Sequence, residues 1–304
     1  RTAPKQQALP AVTILTGEQQ YVRFGGATPL TAAAASGNLE AVRFLIQQQG
    51  ADKDATCAQG FTPLYVAAAF GHLDVVRFLV EQRAEVDKAD QVGQTPLIVA
   101  AFPGHLEIIK LLVEHGAGIN RAGVIDGSTA LHYAAVGGHL RVVTFLIEQA
   151  GADVDRASRS RLIDLDGSTA LIDAASAAAP ERLDVVEYLV EHAGADINKK
   201  TAVGDTPLHR AARKGYLDVV MYLVKKGAKT EERTGAKGLT PLDVARDESA
   251  AALARGEDPH YEVVAFLASL HNTYDKAQQL WNRTKVVTTP VWQPSYFQPN
   301  RRVM

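Results

Sequence analysis

The chain has 304 residues, of which 46% are hydrophobic and 22% are charged, and its formal net charge is −2. This composition is typical of a folded soluble protein, and no apolar run approaches the roughly 18 residues that a membrane helix needs. The single cysteine, Cys57, excludes a disulfide framework and fits a reducing compartment. We therefore expect an intracellular protein. Because the chain begins with Arg1, both the cytoplasm and an organelle reached after removal of a targeting peptide stay open.

Charge is distributed unevenly along the chain. Residues 1–27 carry a net charge of +2 and residues 271–304 carry +4, which leaves −8 for the segment between them. An acidic segment of this size is a poor match for nucleic acid, because phosphate binding needs clustered Lys and Arg side chains. We therefore expect no nucleic-acid partner.

The N-terminal 27 residues contain two β-prone runs, 11–15 and 21–24, on either side of a glycine-containing turn. Two such runs around a turn predict a β-hairpin. The segment would either cap the repeats that follow it or form an irregular first loop of those repeats.

The dominant feature of the chain is a motif that occurs seven times, Thr-Pro-Leu or Thr-Ala-Leu followed by an alanine-rich helical turn. The copies begin at Thr28, Thr62, Thr95, Thr129, Thr169, Thr206 and Thr240, at spacings of 33 to 40 residues. A repeat period near 33 residues indicates a stacked array of similar units rather than a globule built around a pocket.

The second copy shows how one unit is expected to fold. Thr62 is a good helix N-cap, and Pro63 suits the first helical position, where its missing N–H costs nothing. Gly71 ends this helix, and apolar residues within 73–80 form one face of a second helix. The turn-rich segment 87–94 then leads to the next repeat as a hairpin-like finger. Because one unit cannot bury its own apolar face, we expect the units to be stabilised by stacking on their neighbours.

Three recurring strings carry a resemblance to a known family. Thr-Pro-Leu-His-x-Ala-Ala occurs at residues 206–212. Gly-His-Leu occurs at 71–73, 104–106 and 138–140. Gly-Ala-Asp occurs at 50–52, 151–153 and 194–196. In these strings the chain resembles the ankyrin repeat family over residues 28–270. The resemblance implies an all-α ankyrin-repeat solenoid of stacked helix-turn-helix units with hairpin-like fingers. It also implies binding of other proteins, usually without enzyme activity, on a concave side made of fingertips and first helices.

Two repeats depart from the regular length between the starting Thr and the second helix. The repeat that begins at Thr169 gains three residues in the turn at 176–180, and the last repeat gains ten before Tyr261. A degenerate last repeat is what a terminal cap requires, because its outer face meets water.

The finger between repeats four and five, within residues 154–168, is also longer than the others. Loops that grow from a rigid scaffold often carry function, although a surface insertion is also tolerated at little entropic cost. We expect Arg156, Arg159 and Arg161 in this finger to contact an acidic patch of a partner.

The same resemblance places a second group of residues on the concave side, apolar in repeats two to four and basic in repeat six. These residues are Phe61, Phe70, Val92, Phe102, Pro103, Ile125, Val136, Arg210, Arg213 and Lys214. Together they predict a groove for a peptide or helix of matching character. The alternative is packing into the next repeat, which applies most to Phe61 and Ile125.

Residues 271–304 differ in composition from the repeats. They contain both tryptophans, and the prolines from Pro290 onward exclude a long helix there. We expect a short helix within 272–285 and then an extended segment that lies on a surface, either this chain's own repeats or another subunit. The residues expected to make that contact are Trp281, Trp292, Tyr296 and Phe297.

Residues that could carry chemistry are interpreted structurally. His72, His105 and His139 recur at one repeat position, which predicts a ring hydrogen bond across the turn rather than a metal site. The sequence contains no phosphate-binding glycine loop, nucleophile elbow or zinc-ligand spacing, so we expect no catalytic residue, cofactor or metal.

The sequence as a whole predicts a non-enzymatic interaction scaffold, an accessory or structural subunit of a multi-protein complex. Its expected partners are one or more proteins, and a membrane complex is compatible although the chain has no transmembrane segment of its own. The alternative is a regulatory adaptor or inhibitor that captures a peptide or helix of a client protein.

Overall fold

The computed structural model describes residues 13–16, 20–23, 26–159, 166–179, 182–235 and 237–270. It begins with a two-stranded hairpin, in which β1 (Thr13–Thr16) pairs antiparallel with β2 (Gln20–Arg23). Thr13 lies opposite Arg23 and Thr16 opposite Gln20, which confirms the hairpin expected from the two β-prone runs.

Fourteen helices follow within the described ranges, arranged as seven pairs. They are α1 (Pro29–Ala35) with α2 (Leu39–Gln47), α3 (Pro63–Ala69) with α4 (Leu73–Glu81), α5 (Pro96–Ala101) with α6 (Leu106–Glu114), α7 (Ala130–Val136) with α8 (Leu140–Glu148), α9 (Ala170–Ser176) with α10 (Arg182–Glu191), α11 (Pro207–Lys214) with α12 (Leu217–Lys225), and α13 (Pro241–Arg255) with α14 (Tyr261–Leu270).

The helix pairs stack in two rows. Each first helix contacts the first helix of the next repeat, each second helix contacts the next second helix, and each pair packs together. Alanine pairs such as Ala67 and Ala68 are fully buried, so the first helices approach their neighbours closely. The expected all-α solenoid of stacked helix-turn-helix units is therefore confirmed.

The starting threonines form the helix caps that the motif predicts. The Thr62 hydroxyl accepts from the Tyr65 backbone N–H at 3.0 Å, and every first helix begins directly after its Thr. At Thr206 the cap is reciprocal, because the His209 ring also accepts from the Thr206 backbone N–H at 3.2 Å. Loss of such a cap costs about 1 kcal/mol of stability.

One Asp or Asn side chain ties each finger base to the next repeat. In repeat after repeat, the side-chain oxygen accepts from a backbone N–H of the following finger. The five pairs, called the Asx ladder below, are Asp54 with Glu85, Asp87 with Gly118, Asn120 with Asp153, Asp155 with Asp196, and Asn198 with Lys229, at donor–acceptor distances of 2.9 to 3.1 Å. The ladder fixes the register of neighbouring repeats.

The recurring histidines tie the other end of the repeats. His72 Nε2 hydrogen-bonds the Ala35 carbonyl at 2.9 Å, and His139 Nε2 hydrogen-bonds the Phe102 carbonyl at 2.7 Å. A ring hydrogen bond was expected, but its partner lies in the preceding repeat and not in the same turn. Each ring also covers a turn glycine, since a Cβ on Gly104 (φ 77°) would lie 2.6 Å from the His139 ring.

In the irregular repeats, the ring contact between neighbouring repeats is either made by other residues or formed again by a histidine. At the start of α10 the Arg182 guanidinium lies 4.1 Å from the ring centroid of Tyr216, which holds the histidine position in repeat six. In the last repeat the added residues lengthen α13 to 15 residues. His260 then returns to the usual place, because a Cβ on Gly215 would lie 2.2 Å from its ring. The extra length therefore leaves the stacking contact in place.

Candidate interaction surface

The C-terminal ends of the first helices in repeats two to four carry a row of apolar side chains. We call Phe70, Phe102, Pro103 and Val136 the first-helix face. Phe70 and Phe102 are half-buried, whereas Pro103 and Val136 are exposed. The Phe102 ring packs edge-on against Tyr133, with 6.3 Å between the ring centroids. Phe102 and Val136 hold one repeat position, and Phe70 and Pro103 hold the next one. Because successive first helices contact one another, the four residues lie along one apolar strip.

Phe61 and Ile125, for which packing into the next repeat was the alternative, differ in their exposure. Phe61 is only 8% exposed and stacks on Tyr65, with 4.7 Å between the ring centroids. Its side chain has little surface left for a partner, so the packing alternative holds for Phe61. Ile125, in contrast, is 45% exposed, and the packing alternative is wrong for it.

The finger of repeat four presents more apolar surface than the sequence predicted. A backbone bond closes this finger between Gly123 and Ser128, whereas the preceding finger closes between Asp90 and Gln94, one residue shorter. The longer loop leaves Val124 58% exposed beside Ile125. Sequence reasoning missed Val124, although two consecutive apolar residues between glycines in a finger were a visible signal.

A chain of polar contacts links the first helices of repeats two and four to the fingers of repeats three and four. The Tyr65 hydroxyl donates to Asp90 Oδ2 at 3.1 Å, and Gln94 Nε2 donates to the Tyr133 hydroxyl at 2.8 Å. Tyr133 in turn donates to Asp126. Burial raises the pKa of both tyrosines and also that of Asp90. These groups are partnered with one another across three repeats, so they position the fingers and leave contact with a partner to the apolar side chains.

In repeat five, Asp173 holds the helix position that Tyr133 holds in repeat four. Its side chain is partly exposed, but desolvation of the carboxyl group raises its pKa, opposed by the nearby His132 and by a hydrogen bond from Ser168. The positions of Phe102 and Pro103 are held in repeat five by Ser176 and by the buried Ala177, so the apolar strip ends at this repeat.

Repeat six corrects one expectation. Arg210 and Arg213 were expected to give the groove a basic half, but both pair with Asp205, whose side chain is 3% exposed. The distances from Asp205 Oδ2 are 3.1 Å to Arg210 Nε and 2.7 Å to Arg213 Nη1. A partner would have to break a desolvated ion pair to use these arginines. Lys214 is exposed and keeps its place among the candidates.

The enlarged finger grows from a base that matches the regular fingers. Ser158 N donates to the Ser168 carbonyl at 2.7 Å, and Gly167 N donates to the Ser158 carbonyl at 2.9 Å. Arg156 precedes this base at the position of Lys88 and Arg121 in earlier fingers. The sequence interpretation began the added length at Arg156, whereas the structure places it between Arg159 and the closing residues 167–168.

Arg156 and Arg159 are both exposed. Arg161 lies outside the described residues, as do Trp281, Trp292, Tyr296 and Phe297 of the tail. Val92 is half-buried in the finger before Val124. Within the described ranges no cluster of three or more His, Cys, Asp or Glu side chains is arranged to hold a metal ion. None of the helices in that part of the chain is long and apolar enough to cross a membrane.

The family is decided by comparison with known proteins. A family model described as ankyrin repeats (3 copies) matches residues 3–90, 82–158, 127–201 and 193–279. The chain belongs to the ankyrin repeat family. The resemblance seen in the sequence is thereby confirmed, and ankyrin repeats are generally protein–protein interaction modules, typically without enzyme activity.

Solved ankyrin repeat domains share this architecture. The ankyrin repeat domain of human ASB11 is 29% identical with a TM-score of 0.63, and the match covers 72% of this chain and 91% of that one. The ankyrin repeat domain of Bcl-3, described as a unique member of the IkappaB protein family, is 32% identical with a TM-score of 0.59. That match covers 76% of this chain and 99% of the Bcl-3 domain. No curated protein sequence matches the chain.

Proposed function

We propose that this ankyrin repeat protein is a non-enzymatic scaffold that binds another protein through the first-helix face and the fingers of repeats three to five. The observation that supports this function is the apolar strip of Phe70, Phe102, Pro103 and Val136 on a row of contacting helices. Exposed apolar side chains that form a contiguous strip mark interaction sites more often than single exposed residues do.

The rigidity of the stack supports the same function. The Asx ladder and the histidine contacts hold the helices in register before any partner arrives. Binding to a surface whose shape is already set loses little conformational entropy, so a modest apolar area gives useful affinity. We further propose a structural or accessory subunit of a complex, in which the enlarged finger and the tail from residue 271 make additional contacts.

The location proposed is intracellular. The Cys57 thiol is buried and donates to Gln59 Oε1 at 3.2 Å, a setting that needs no oxidising compartment. The partners proposed are proteins, since the −8 charge of residues 28–270 repels nucleic acid.

The experiment compares affinity capture by three forms of the full chain. The double variant Pro103→Glu with Val136→Glu places charge on the first-helix face. The matched control, Phe44→Glu with Met221→Glu, places the same charge on side chains that are 53% and 45% exposed on the second helices. We expect proteins captured by the parent and the control to be lost from the face variant, while thermal unfolding of all three stays similar. Capture of the same proteins by the face variant would place the interface elsewhere.

Exchange kinetics separate a subunit from an adaptor. A subunit is expected to co-purify stoichiometrically and to survive high salt, whereas an adaptor that captures a client peptide exchanges within seconds to minutes. Dissociation of the captured partner in high salt would favour the adaptor.

A further inference from the structure

The fingertips of successive repeats hold equivalent positions, and this brings apolar and basic residues together. A Cβ on Gly93 would lie 2.4 Å from the Val124 side chain, and a Cβ on Gly127 would lie 2.1 Å from the Arg159 backbone. Val124 and Arg159 therefore each cover the turn glycine of the preceding finger. They are neighbours in one row, separated by a single repeat.

Val124 and Ile125 expose apolar surface at this point of the row. They are consecutive residues, 58% and 45% exposed, on a loop whose Val124 N–H is fixed at 2.8 Å from the Val92 carbonyl. Their exposure is a property of the longer finger and not of a mobile end. A fixed apolar pair of this kind is suited to anchoring a partner side chain.

The adjacent finger supplies positive charge at Arg156 and Arg159. In other fingers, basic residues are neutralised by carboxylates, for example Arg121 by Asp87 at 3.3 Å and Lys88 by Glu85 at 3.6 Å. Arg156 and Arg159 are exposed, and neither forms an ion pair with another described residue. Arg210 and Arg213 of repeat six pair with Asp205, whereas Arg156 and Arg159 place positive charge in the row of fingers beside Val124 and Ile125.

We infer that Val124, Ile125, Arg156 and Arg159, called the fingertip patch, bind a protein segment in which apolar residues are followed by acidic ones. This inference rests on the proposed function and names the chemistry of its partner. The apolar residues of that segment would cover Val124 and Ile125, and its carboxylates would pair with the arginines one repeat away. Guanidinium groups favour carboxylates because they form two parallel hydrogen bonds with them.

Nucleic acid fits the patch less well than a protein segment does. The arginines stand beside an apolar pair on an array of net charge −8, and phosphate binding rewards clustered positive charge in place of apolar surface. We therefore commit to an acidic, partly apolar protein segment.

The test selects a displayed library of random 16-residue peptides on the full chain. We expect the selected peptides to combine apolar residues with neighbouring Asp or Glu. A selected peptide should bind Arg156→Gln with Arg159→Gln about tenfold or more weakly than it binds the parent, as lost charge-assisted hydrogen bonds predict. It should also weaken on Val124→Ser with Ile125→Ser. Fluorescence anisotropy of the labelled peptide gives each affinity.

The control is Arg77→Gln with Arg141→Gln, which removes the same charge from exposed positions on α4 and α8. Its affinity for the peptide should equal that of the parent. The inference would be overturned if peptide affinity fell equally in the arginine variant of the fingertip patch and in this control. Selected peptides without acidic residues would overturn it as well. Peptides that lose affinity only for Pro103→Glu with Val136→Glu would overturn it and leave the proposed function standing. The inference would also be overturned if a labelled oligodeoxythymidine bound the parent and lost its binding only in the variant Arg156→Gln with Arg159→Gln.

Discussion

The regular half of the array, repeats one to four, and the irregular half, repeats five to seven, are tied together in the same way but present different surfaces. The Asx ladder crosses both halves, from Asp54 to Asn198, with little change in distance. Along the first helices, however, the regular half exposes Pro103 and Val136, whereas the irregular half carries Asp173 and the ion pairs of Asp205. Stacking and surface chemistry are therefore set by different positions of the repeat.

The largest expected effect lies in the irregular half. Asp205→Ala removes the buried carboxylate that pairs with both Arg210 and Arg213. Breaking a buried ion pair in this way costs about 3 to 5 kcal/mol. Chemical denaturation should show this loss of unfolding free energy, while Ser128→Ala, at the equivalent position of the regular half, should change it little. Similar small effects at both positions would show that the arginines gain nothing from Asp205.

The glycines under the histidines give the next largest effect. Gly104→Ala forces a side chain into a left-handed backbone conformation and against the His139 ring, 2.6 Å away. Gly116→Ala imposes the same backbone strain at φ 87° but meets no atom within 4 Å. Strain alone costs about 1 to 3 kcal/mol, and crowding adds a comparable amount. The unfolding temperature of Gly104→Ala should therefore be clearly lower than that of Gly116→Ala. Equal losses of stability would show that the contact with the histidine ring contributes nothing.

A smaller effect tests whether the two halves share their ties. Asn120→Ala removes one ladder bond in the regular half, and Asn198→Ala removes one in the irregular half. Each should cost about 1 kcal/mol, because each leaves one partly exposed backbone N–H to solvent. Asp247→Ala, an exposed residue of α13, serves as the control. A loss confined to one half would show that the ladder stabilises only that half.

The pH dependence of Asp173 gives the smallest effect. Its folded-state pKa is raised by desolvation, so ionisation of this carboxyl disfavours the folded state above that pKa. The penalty fades as pH falls through the raised folded value, and it is gone below the unfolded value of about 3.9. Asp173→Asn should therefore be more stable than the parent at pH 7, and the difference should shrink on acidification. A difference that stays constant between pH 7 and pH 4 would contradict the raised pKa.

The sequence predicted the parts of this molecule that local chemistry decides. Thr62 and Pro63 specify a helix start on their own, and the turn glycine Gly71 specifies its end, so helix positions followed directly from the motif. The family and the stacked architecture followed from the repetition of these local signals. The hairpin before the array was predicted in the same way.

The surface was predicted less well, because it depends on contacts between residues that the motif does not relate. Arg210 and Arg213 were predicted to offer positive charge to a partner, but the finger places Asp205 where it pairs with both. The sequence left contact with a partner and packing both open for Phe61, and its stacking on Tyr65 favours packing. Val124 is exposed because the finger of repeat four is one residue longer than the finger of repeat three. In the first two cases the deciding contact runs from a finger to a helix, and in the third it is set by the length of the finger.

The most direct test of the account is hydrogen exchange measured by mass spectrometry on the full chain with and without a selected peptide. The account predicts slower exchange in the fingers of repeats three to five and in α5 and α7, with the second helices and repeats six and seven unchanged. Protection that falls on the second helices, or that spreads evenly over the whole array, would contradict a recognition surface carried by the regular half and the enlarged finger.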